Sequence, residues 1–310
     1  MTARNRQFGF GGIAKHYRGP MMTDFDPLWN YDQPAETEAR FRALLPDLAA
    51  DPARQAELLT QIARAQGLQR RFEAAHRTLD EVERALAPAM RRPRVRYLLE
   101  RGRVFNSSRQ AERAGPLFRE AWEQALAAGE DALAVDAAHM LAIVASGDDQ
   151  FAWNERALEL AERSPDPGAQ RWRGALYNNL GWTYHDRRDF ARALELFERA
   201  AAWRAAQNQP RETRIARWCV ARALRSLGRL MDALAQQQSL LAEAEAAGQP
   251  DGFIHEELGE CQLALGQPEA ARPHFAQAYQ LLSQDAWLAE AEPARLERLK
   301  TLGAAPPAEA

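Results

Sequence analysis

Lysine is almost missing from this sequence of 310 residues. Lys15 and Lys300 are the two lysines, and the other 38 of the 40 basic residues are arginine. With 43 acidic residues the formal net charge is −3, which argues against a nucleic-acid-binding protein. Long apolar runs are also missing, because the longest covers only residues 140–145, whereas a membrane-spanning helix needs roughly 18 apolar residues.

Cysteine is scarce, and the motifs of common enzymes are absent. Cys219 and Cys261 give neither a metal-binding spacing nor a disulfide framework, so we expect two buried or half-buried free thiols. The sequence contains no G-x-S-x-G, no phosphate-binding loop and no C-x-x-C. We therefore expect a protein that is not an enzyme and that uses no cofactor.

Two histidine-containing segments resemble parts of catalytic or metal sites. The run from His255 to Gly259 begins like a metalloprotease helix, but Gly259 stands where the second histidine is required, so we expect no metal site. His185 followed by Asp186 has the form of a general base with its orienting carboxylate. Such a pair more often marks the end of a helix beside a turn, and we expect no catalytic residue here.

Alanine recurs at a regular spacing along most of the chain. The alanines that mark it lie 39, 38, 41, 40 and 38 residues apart. They are Ala75, Ala114, Ala152, Ala193, Ala233 and Ala271. An apolar helical stretch and a short polar break precede each one. A self-similar period of roughly 20 to 50 residues is typical of stacked helical hairpins.

The segment from residue 175 to residue 210 shows the repeating unit most clearly. It contains Tyr177-x-x-Leu180-Gly181-x-x-Tyr184 and then Ala193-x-x-x-Phe197-x-x-Ala200. This pattern resembles the tetratricopeptide repeat, a helix–turn–helix unit of about 34 residues. The resemblance covers residues 55–285, but the units here are longer, at 38 to 41 residues. Longer second helices resemble those of peptide-sensing and cargo-binding members of the family.

The resemblance implies an all-α protein, a right-handed α-solenoid (superhelix) of about six such hairpins with terminal capping helices. We expect the solenoid to cover residues 34–303, followed by a flexible tail at residues 304–310. Residues 1–33 read as a disordered, basic and glycine-rich arm. Either this arm is an extension upstream of a true start at Met21 or Met22, or it contacts an acidic partner.

In this family the first helix of each hairpin lines the concave face. The family's inward-pointing positions, transferred to this sequence, predict a peptide-binding groove. Its residues are Arg103, Asn106, Leu141, Val144, Asn178, Trp182, His185, Trp218, Arg222 and Arg225. Leu141 and Val144 would form an apolar floor, and Trp and Arg are enriched at binding hot spots. The alternative is that the arginines pair with carboxylates such as Glu100, and that the tryptophans pack between helices.

We expect a cytoplasmic scaffold or adaptor that binds a protein or peptide segment carrying an apolar anchor and a carboxylate. The alternative is a peptide-responsive sensor that acts through a change in superhelix shape. The repeats lack lysine, so the lysine–asparagine clamp of the family's best-known peptide binders is missing and a chaperone tail is not the expected ligand. Membranes, nucleic acids and small-molecule substrates are not expected partners.

Overall fold

The structure is a computed structural model that describes residues 25–304, where all regular secondary structure is helical. Contacts divide the chain into two compact units, with the boundary between Arg173 and Gly174. The described part of the first, residues 25–173, is called the N-terminal unit, and residues 174–304 are called the C-terminal unit. The boundary follows a segment that is rich in helix-breaking residues, with Pro165, Pro167 and Gly168 close together.

The N-terminal unit begins with a 3-10 turn at Asp26–Leu28 and contains a second one at Pro46–Leu48. Its α-helices are α1 (Pro34–Leu44), α2 (Pro52–Leu68), α3 (Phe72–Ala85), α4 (Arg91–Ser107), α5 (Ala111–Ala128), α6 (Asp131–Val144), α7 (Gly147–Arg163) and α8 (Pro167–Gln170). Three hairpins follow the capping helix α1. Their first helices are α2, α4 and α6, and their second helices are α3, α5 and α7.

The C-terminal unit repeats the same plan. Its helices are α9 (Arg173–Asp186), α10 (Phe190–Ala206), α11 (Pro210–Ser226), α12 (Leu230–Ala246), α13 (Gly252–Ala264), α14 (Pro268–Leu282), α15 (Ala286–Ala291) and α16 (Pro293–Gly303). The first helices are α9, α11 and α13, and the second helices are α10, α12 and α14. Six helical hairpins with terminal helices confirm the expected all-α repeat fold. None of the helices in residues 25–304 combines the length and the apolar character that a membrane span requires.

A glycine and a phenylalanine close three of the hairpins. A Cβ atom added to Gly181 would lie 2.5 Å from the ring of Phe197, and one added to Gly259 would lie 2.8 Å from the ring of Phe275. Gly102 and Phe118 make the same contact. The three phenylalanines are at most 1% exposed, so glycine is required on the first helix because the ring fills the space of a side chain.

Five of the six regularly spaced alanines occupy equivalent buried positions. Ala75, Ala114, Ala193 and Ala233 are fully buried, and Ala271 is 1% exposed. In the third hairpin the prediction is wrong, because Ala152 is only half-buried. Trp153 is buried instead and packs edge-to-face on Trp122, with ring centroids 5.7 Å apart. Helix α7 therefore buries the larger indole in place of the alanine.

The turns between first and second helices require a left-handed backbone conformation. In the third hairpin the residue with positive φ is Gly147, which begins α7. In the other five hairpins it lies just after the first helix, at Arg70, Arg109, Arg188, Gly228 and Gly266. The next residue donates its N–H back to the first helix, as Asp189 does to the carbonyl of Tyr184 at 2.9 Å. This bond is typical of a Schellman motif, which ends an α-helix by satisfying its last carbonyls.

Residues 25–33 do not behave as the predicted arm. Phe25 is 4% exposed and Trp29 is 5% exposed, and both pack with Phe41 of α1 and Leu58 of α2. The predicted boundary at residue 33 is therefore wrong, because two large aromatic side chains bury apolar surface there. The expectations for residues 1–24 and 305–310 lie outside the described residues.

The last two helices complete the C-terminal unit. Leu288 and Leu299 are buried in the same apolar cluster as Phe275. Helix α16 packs on α14, and two of its arginines reach α13, where Arg295 pairs with Glu256 and Arg298 pairs with Glu260.

Cys219 and Cys261 are free and fully buried, as predicted. Burial raises the pKa of both thiols, that of Cys261 to about 12. Because the thiolate is the reactive form, these cysteines act as small core residues.

Candidate functional site

The first helices of the N-terminal unit are joined by ion pairs. Arg96 Nε lies 3.3 Å from Glu57 Oε1, and Arg64 Nη1 lies 3.3 Å from Glu100 Oε1. Arg103 Nη1 lies 2.5 Å from the same Glu100 oxygen, and its Nη2 donates to Asp136 on α6. We call these six side chains, namely Glu57, Arg64, Arg96, Glu100, Arg103 and Asp136, the N-terminal ion-pair network.

Most of this network is buried. The Glu100 side chain is fully buried and that of Arg96 is 4% exposed. Burial acts to lower the pKa of Arg103, but the carboxylates of Asp136 and Glu100 outweigh burial and raise it. Burial likewise acts to raise the pKa of Asp136, and Arg103 reverses the direction. Both groups therefore carry their charges at neutral pH and hold α4 against α6.

Residues 25–31, called the strap, lie against this network. The Asp26 carboxylate is 3.0 Å from Arg96 Nη2 on α4, and Trp29 Nε1 donates to Gln61 Oε1 on α2 at 3.0 Å. Tyr31 stacks on Trp29 with ring centroids 4.8 Å apart. The guanidinium of Arg64 lies 5.6 Å from the Trp29 ring and 5.3 Å from the Tyr31 ring, within cation–π range.

An aromatic row lies on the first helices of the C-terminal unit. Trp182 of α9 and Trp218 of α11 have ring centroids 6.2 Å apart, and Trp218 meets Phe253 of α13 edge-to-face at 6.4 Å. Trp218 Nε1 donates to the Phe253 carbonyl at 3.1 Å. Trp182 is buried at 8% exposure, and it also packs on Phe197 at 5.2 Å. Trp218 and Phe253 are both half-buried and are the accessible members of the row.

Arginines flank the aromatic row. Arg222 Nη1 lies 2.9 Å from Glu257 Oε1, and Arg225 Nε lies 2.8 Å from Glu257 Oε2. Burial raises the pKa of the Glu257 carboxyl and Arg225 acts against that rise. Two arginines donate three hydrogen bonds to the Glu257 carboxyl group and satisfy its oxygens. Together with Glu256, Glu260, Arg295 and Arg298, these side chains form the C-terminal ion-pair network.

His185 and Asn178 make contacts inside the C-terminal unit. His185 Nε2 lies 2.9 Å from Ser226 Oγ, and its ring packs on Phe190 at 5.0 Å. The Asn178 side-chain oxygen accepts a hydrogen bond from the Cys219 thiol at 3.6 Å. Each side chain therefore links α9 to α11.

The predicted apolar floor is not on an accessible face. Leu141 is buried at 3% exposure, and Val144 is the half-buried last residue of α6. Asn106 is half-buried near the end of α4. The prediction fails at Leu141 because α6 turns that side chain into the core, and Asp136 is the α6 residue that pairs with Arg103.

The carboxylates that pair with the arginines of the first helices were not predicted from the sequence. Glu57, Asp136 and Glu257 each pair with an arginine 39, 33 and 35 residues away, respectively. These separations are close to the repeat length. Opposite charges one repeat apart on successive first helices are therefore the signal that would have revealed both networks.

One cavity lies away from these faces, between α12, α13 and α14. Its volume is about 590 Å³, and His255 and His274 line it with Leu241, Glu245 and other residues. The two Nδ1 atoms are 3.1 Å apart. Within residues 25–304, no group of three or more histidine, cysteine or carboxylate side chains is arranged to hold a metal ion.

The hairpins define the class of protein, an α-helical repeat protein, and comparison with known proteins gives the family. A tetratricopeptide repeat model matches residues 174–207, the hairpin of α9 and α10. The matched hairpin is a tetratricopeptide repeat, and the fold of the chain is that of tetratricopeptide repeat solenoids.

Solved structures with the same fold are only distantly related in sequence. RapI in its apo form matches with a TM-score of 0.70 and 11% identity, over 88% of this chain and 76% of that one. A signal transduction ATPase with numerous domains (STAND) from Pyrococcus horikoshii, which has a tetratricopeptide repeat sensor, matches with a TM-score of 0.68 and 16% identity, over 90% of this chain and 44% of that one. BtubC from P. vanneervenii matches with a TM-score of 0.56 and 16% identity, over 71% of this chain and 92% of that one.

Proposed function

We propose that this protein is a cytoplasmic scaffold or adaptor that binds a segment of another protein, or a peptide, on the faces formed by its first helices. The observation that supports this proposal most is the aromatic row of the C-terminal unit. Trp218 is half-buried beside Arg222 and Arg225, whose side chains keep 23% and 17% of their surface exposed. Tryptophan and arginine are the residue types most enriched at binding hot spots.

The ion pairs limit which arginine N–H donors remain for a ligand. A guanidinium carries five N–H donors, and Arg222 directs one of them to Glu257. A ligand carboxylate can therefore bind Arg222 without breaking its ion pair. Arg103 differs, because both of its Nη atoms already face the carboxylates of Glu100 and Asp136. Arg225 resembles Arg103, because its Nε and Nη2 both donate to Glu257. We assign Arg222 to ligand binding, and Arg103 and Arg225 to the structure of their units.

The test starts from a random peptide library displayed on phage and selected on the full chain. The affinity of the selected peptides is then measured for Trp218→Ala and Arg222→Ala. Each change should weaken binding by about 2 kcal/mol, or about 30-fold. Only Arg222→Ala should also reduce the salt dependence, because only it removes a charge.

Arg217→Ala is the matched control. Arg217 is on the same helix but pairs with Glu243 of the second helix α12, with 2.7 Å between the two groups. Its removal should leave peptide affinity unchanged. Unchanged affinity in Trp218→Ala and Arg222→Ala proteins that melt like wild type would place the ligand elsewhere.

A sensor is the second candidate function. It is supported by the likeness to the STAND protein with a tetratricopeptide repeat sensor, which extends over 90% of this chain. A sensor requires that the ligand favours one of two conformations. Small-angle scattering with and without a selected peptide separates the two functions, because a sensor predicts a change in the radius of gyration and a scaffold predicts none.

A further inference from the structure

We propose that the strap is a built-in ligand of the first helices of the N-terminal unit. An external segment that binds there would carry the same chemistry, a carboxylate three residues before a tryptophan, and would displace the strap. The proposal rests on the proposed function, since it names the ligand class for one of the two faces. It is argued from the groups that the strap presents and from the groups that receive them.

The strap presents one carboxylate and one indole to two different first helices. Asp26 pairs with Arg96 on α4, and Trp29 donates to Gln61 on α2. Arg64 lies over the rings of Trp29 and Tyr31. Charge pairing, an indole hydrogen bond and an aromatic anchor are the contacts that a peptide would use on such a face.

The receiving groups are buried and polar, which makes an uncovered face unfavourable. Gln61 is fully buried and Arg96 is 3% exposed. If the strap left without a replacement, Gln61 would lose the N–H of Trp29 and Arg96 would lose one of its carboxylates. A buried polar group that loses its partner is destabilising, so this face favours a segment that restores both contacts.

The backbone of the strap is tied locally and to α1. The amide of Leu28 bonds to the carbonyl of Phe25 at 3.0 Å, within the strap itself. At its far end, Thr37 Oγ1 of α1 donates to the Asn30 carbonyl at 3.0 Å, and Arg40 reaches the Leu28 carbonyl at 2.9 Å. The bond at Asn30 defines an attachment about which the earlier residues, with Asp26 and Trp29, can exchange with an external segment. Displacement of the strap breaks the bond between Arg40 and Leu28.

A ligand attached to its own face has a high effective concentration, of millimolar order for a short flexible connection. An external segment can bind only the molecules in which the strap is displaced. Its apparent affinity for the wild-type chain is therefore its intrinsic affinity multiplied by the fraction of such molecules. Weakening the strap should raise the apparent affinity for that segment without any change to the face. This expectation distinguishes a bound ligand from a capping segment that only fills the core.

The probe is a fluorescein-labelled synthetic peptide with the sequence of residues 25–33. Its binding is measured by anisotropy on the full chain, as wild type and as the Asp26→Ala/Trp29→Ala double variant. We expect the double variant to bind the peptide at least 10-fold more tightly than wild type does. A peptide with alanine in place of its tryptophan should not bind, and Arg96→Gln added to the double variant should abolish binding.

A second measurement does not depend on the folding of the double variant. The two native cysteines are buried, so a Pro27→Cys variant can be labelled with a fluorophore at that exposed position of the strap alone. Excess unlabelled peptide should displace the strap and lower the anisotropy of this label. An anisotropy of this label that stays unchanged at millimolar peptide would overturn the proposal. In the first experiment, a double variant that folds cooperatively but binds the peptide no more tightly than wild type does, or not at all, would also overturn it.

The outcome can be separated from that of the proposed function. Library peptides whose binding is weakened by Trp218→Ala but not by Arg96→Gln would support binding by the C-terminal unit. If the strap peptide also fails to bind, the strap proposal is overturned. Binding of the strap peptide alone, with no library peptide affected at Trp218 or Arg222, would support the strap and remove the assignment of the C-terminal face.

Discussion

The two units use the same ion pairing but leave different surfaces accessible. In the N-terminal unit the network of α2, α4 and α6 is covered by the strap, with Trp29 at 5% exposure. In the C-terminal unit the network continues from α13 to α16, and Trp218 and Arg222 remain partly exposed. The comparison shows that ion pairs between first helices are a feature of the architecture. We propose that ligand specificity lies in the aromatic groups beside them.

The largest effect should follow removal of a buried carboxylate from either network. Glu100→Ala and Glu257→Ala each leave two arginines without their shared partner. Breaking a buried pair from one side costs about 3 to 5 kcal/mol, so both proteins should show a large loss of unfolding free energy in urea.

Glu243→Ala is the control for this prediction. Glu243 also pairs with an arginine, but its side chain is 42% exposed, so its removal should cost less than about 1 kcal/mol. If Glu257→Ala unfolded like Glu243→Ala, the C-terminal network would not share the architectural role of the N-terminal one.

An intermediate effect tests the repeating alanine. Ala193→Leu places a large side chain at a fully buried position and should cost about 1 to 3 kcal/mol by overpacking. The same change at the half-buried Ala152 of the N-terminal unit should cost less than about 0.5 kcal/mol. Equal shifts in thermal midpoint would contradict the finding that Trp153 replaces Ala152 in the core.

A smaller effect concerns the turns with positive φ. The N-terminal unit has Arg70 and Arg109 at these positions, whereas the C-terminal unit has Arg188, Gly228 and Gly266. The left-handed conformation costs a non-glycine residue about 1 to 2 kcal/mol. Replacement by glycine removes this cost, but glycine loses more conformational entropy on folding, which offsets roughly half of the gain. Arg109→Gly should therefore stabilise by about 0.5 kcal/mol, and Gly228→Ala should destabilise by a similar amount. The same sign for both changes in urea unfolding would contradict this account.

The smallest effect is a pH dependence. Burial lowers the pKa of His255 and His274, although Glu245 and Asp251 act against it at His255. The unfolded chain therefore binds protons more readily than the folded one, so stability is lost as the pH falls below the ordinary histidine pKa of 6.5. His274→Gln should flatten the acid side of a plot of unfolding free energy against pH. His76 and His139, whose pKa values burial also lowers, would account for the remaining slope in the N-terminal unit.

Much of the fold could be predicted from the sequence because its repeats are local. A period near 40 residues and the Gly181–Phe197 pattern specify a hairpin without knowledge of its neighbours. The register failed in the third hairpin, where Trp153 competes with Ala152 for the same buried position. The inward-facing positions transferred from the family also failed on α6 of this hairpin, where Leu141 lies in the core.

The candidate site was only partly predictable, because its contacts join different repeats. Trp182 and Trp218 were correctly placed on successive first helices and do pack together. The partners of the arginines, Glu57 and Glu257 among them, lie about one repeat away and follow no local pattern. The strap was missed for a different reason, since its short aromatic segment has no helical periodicity and follows a glycine-rich stretch.

Photo-crosslinking tests the central claim most directly. A peptide selected from the library, with benzoylphenylalanine in place of its apolar anchor, is irradiated on the full chain, and the modified residues are mapped by mass spectrometry. The account predicts crosslinks on the first helices, at Trp218 and its neighbours on α11 and α13 or, for a peptide of the strap class, at α2 and α4. Crosslinks confined to the second helices α3, α5, α7, α10, α12 and α14 would contradict it.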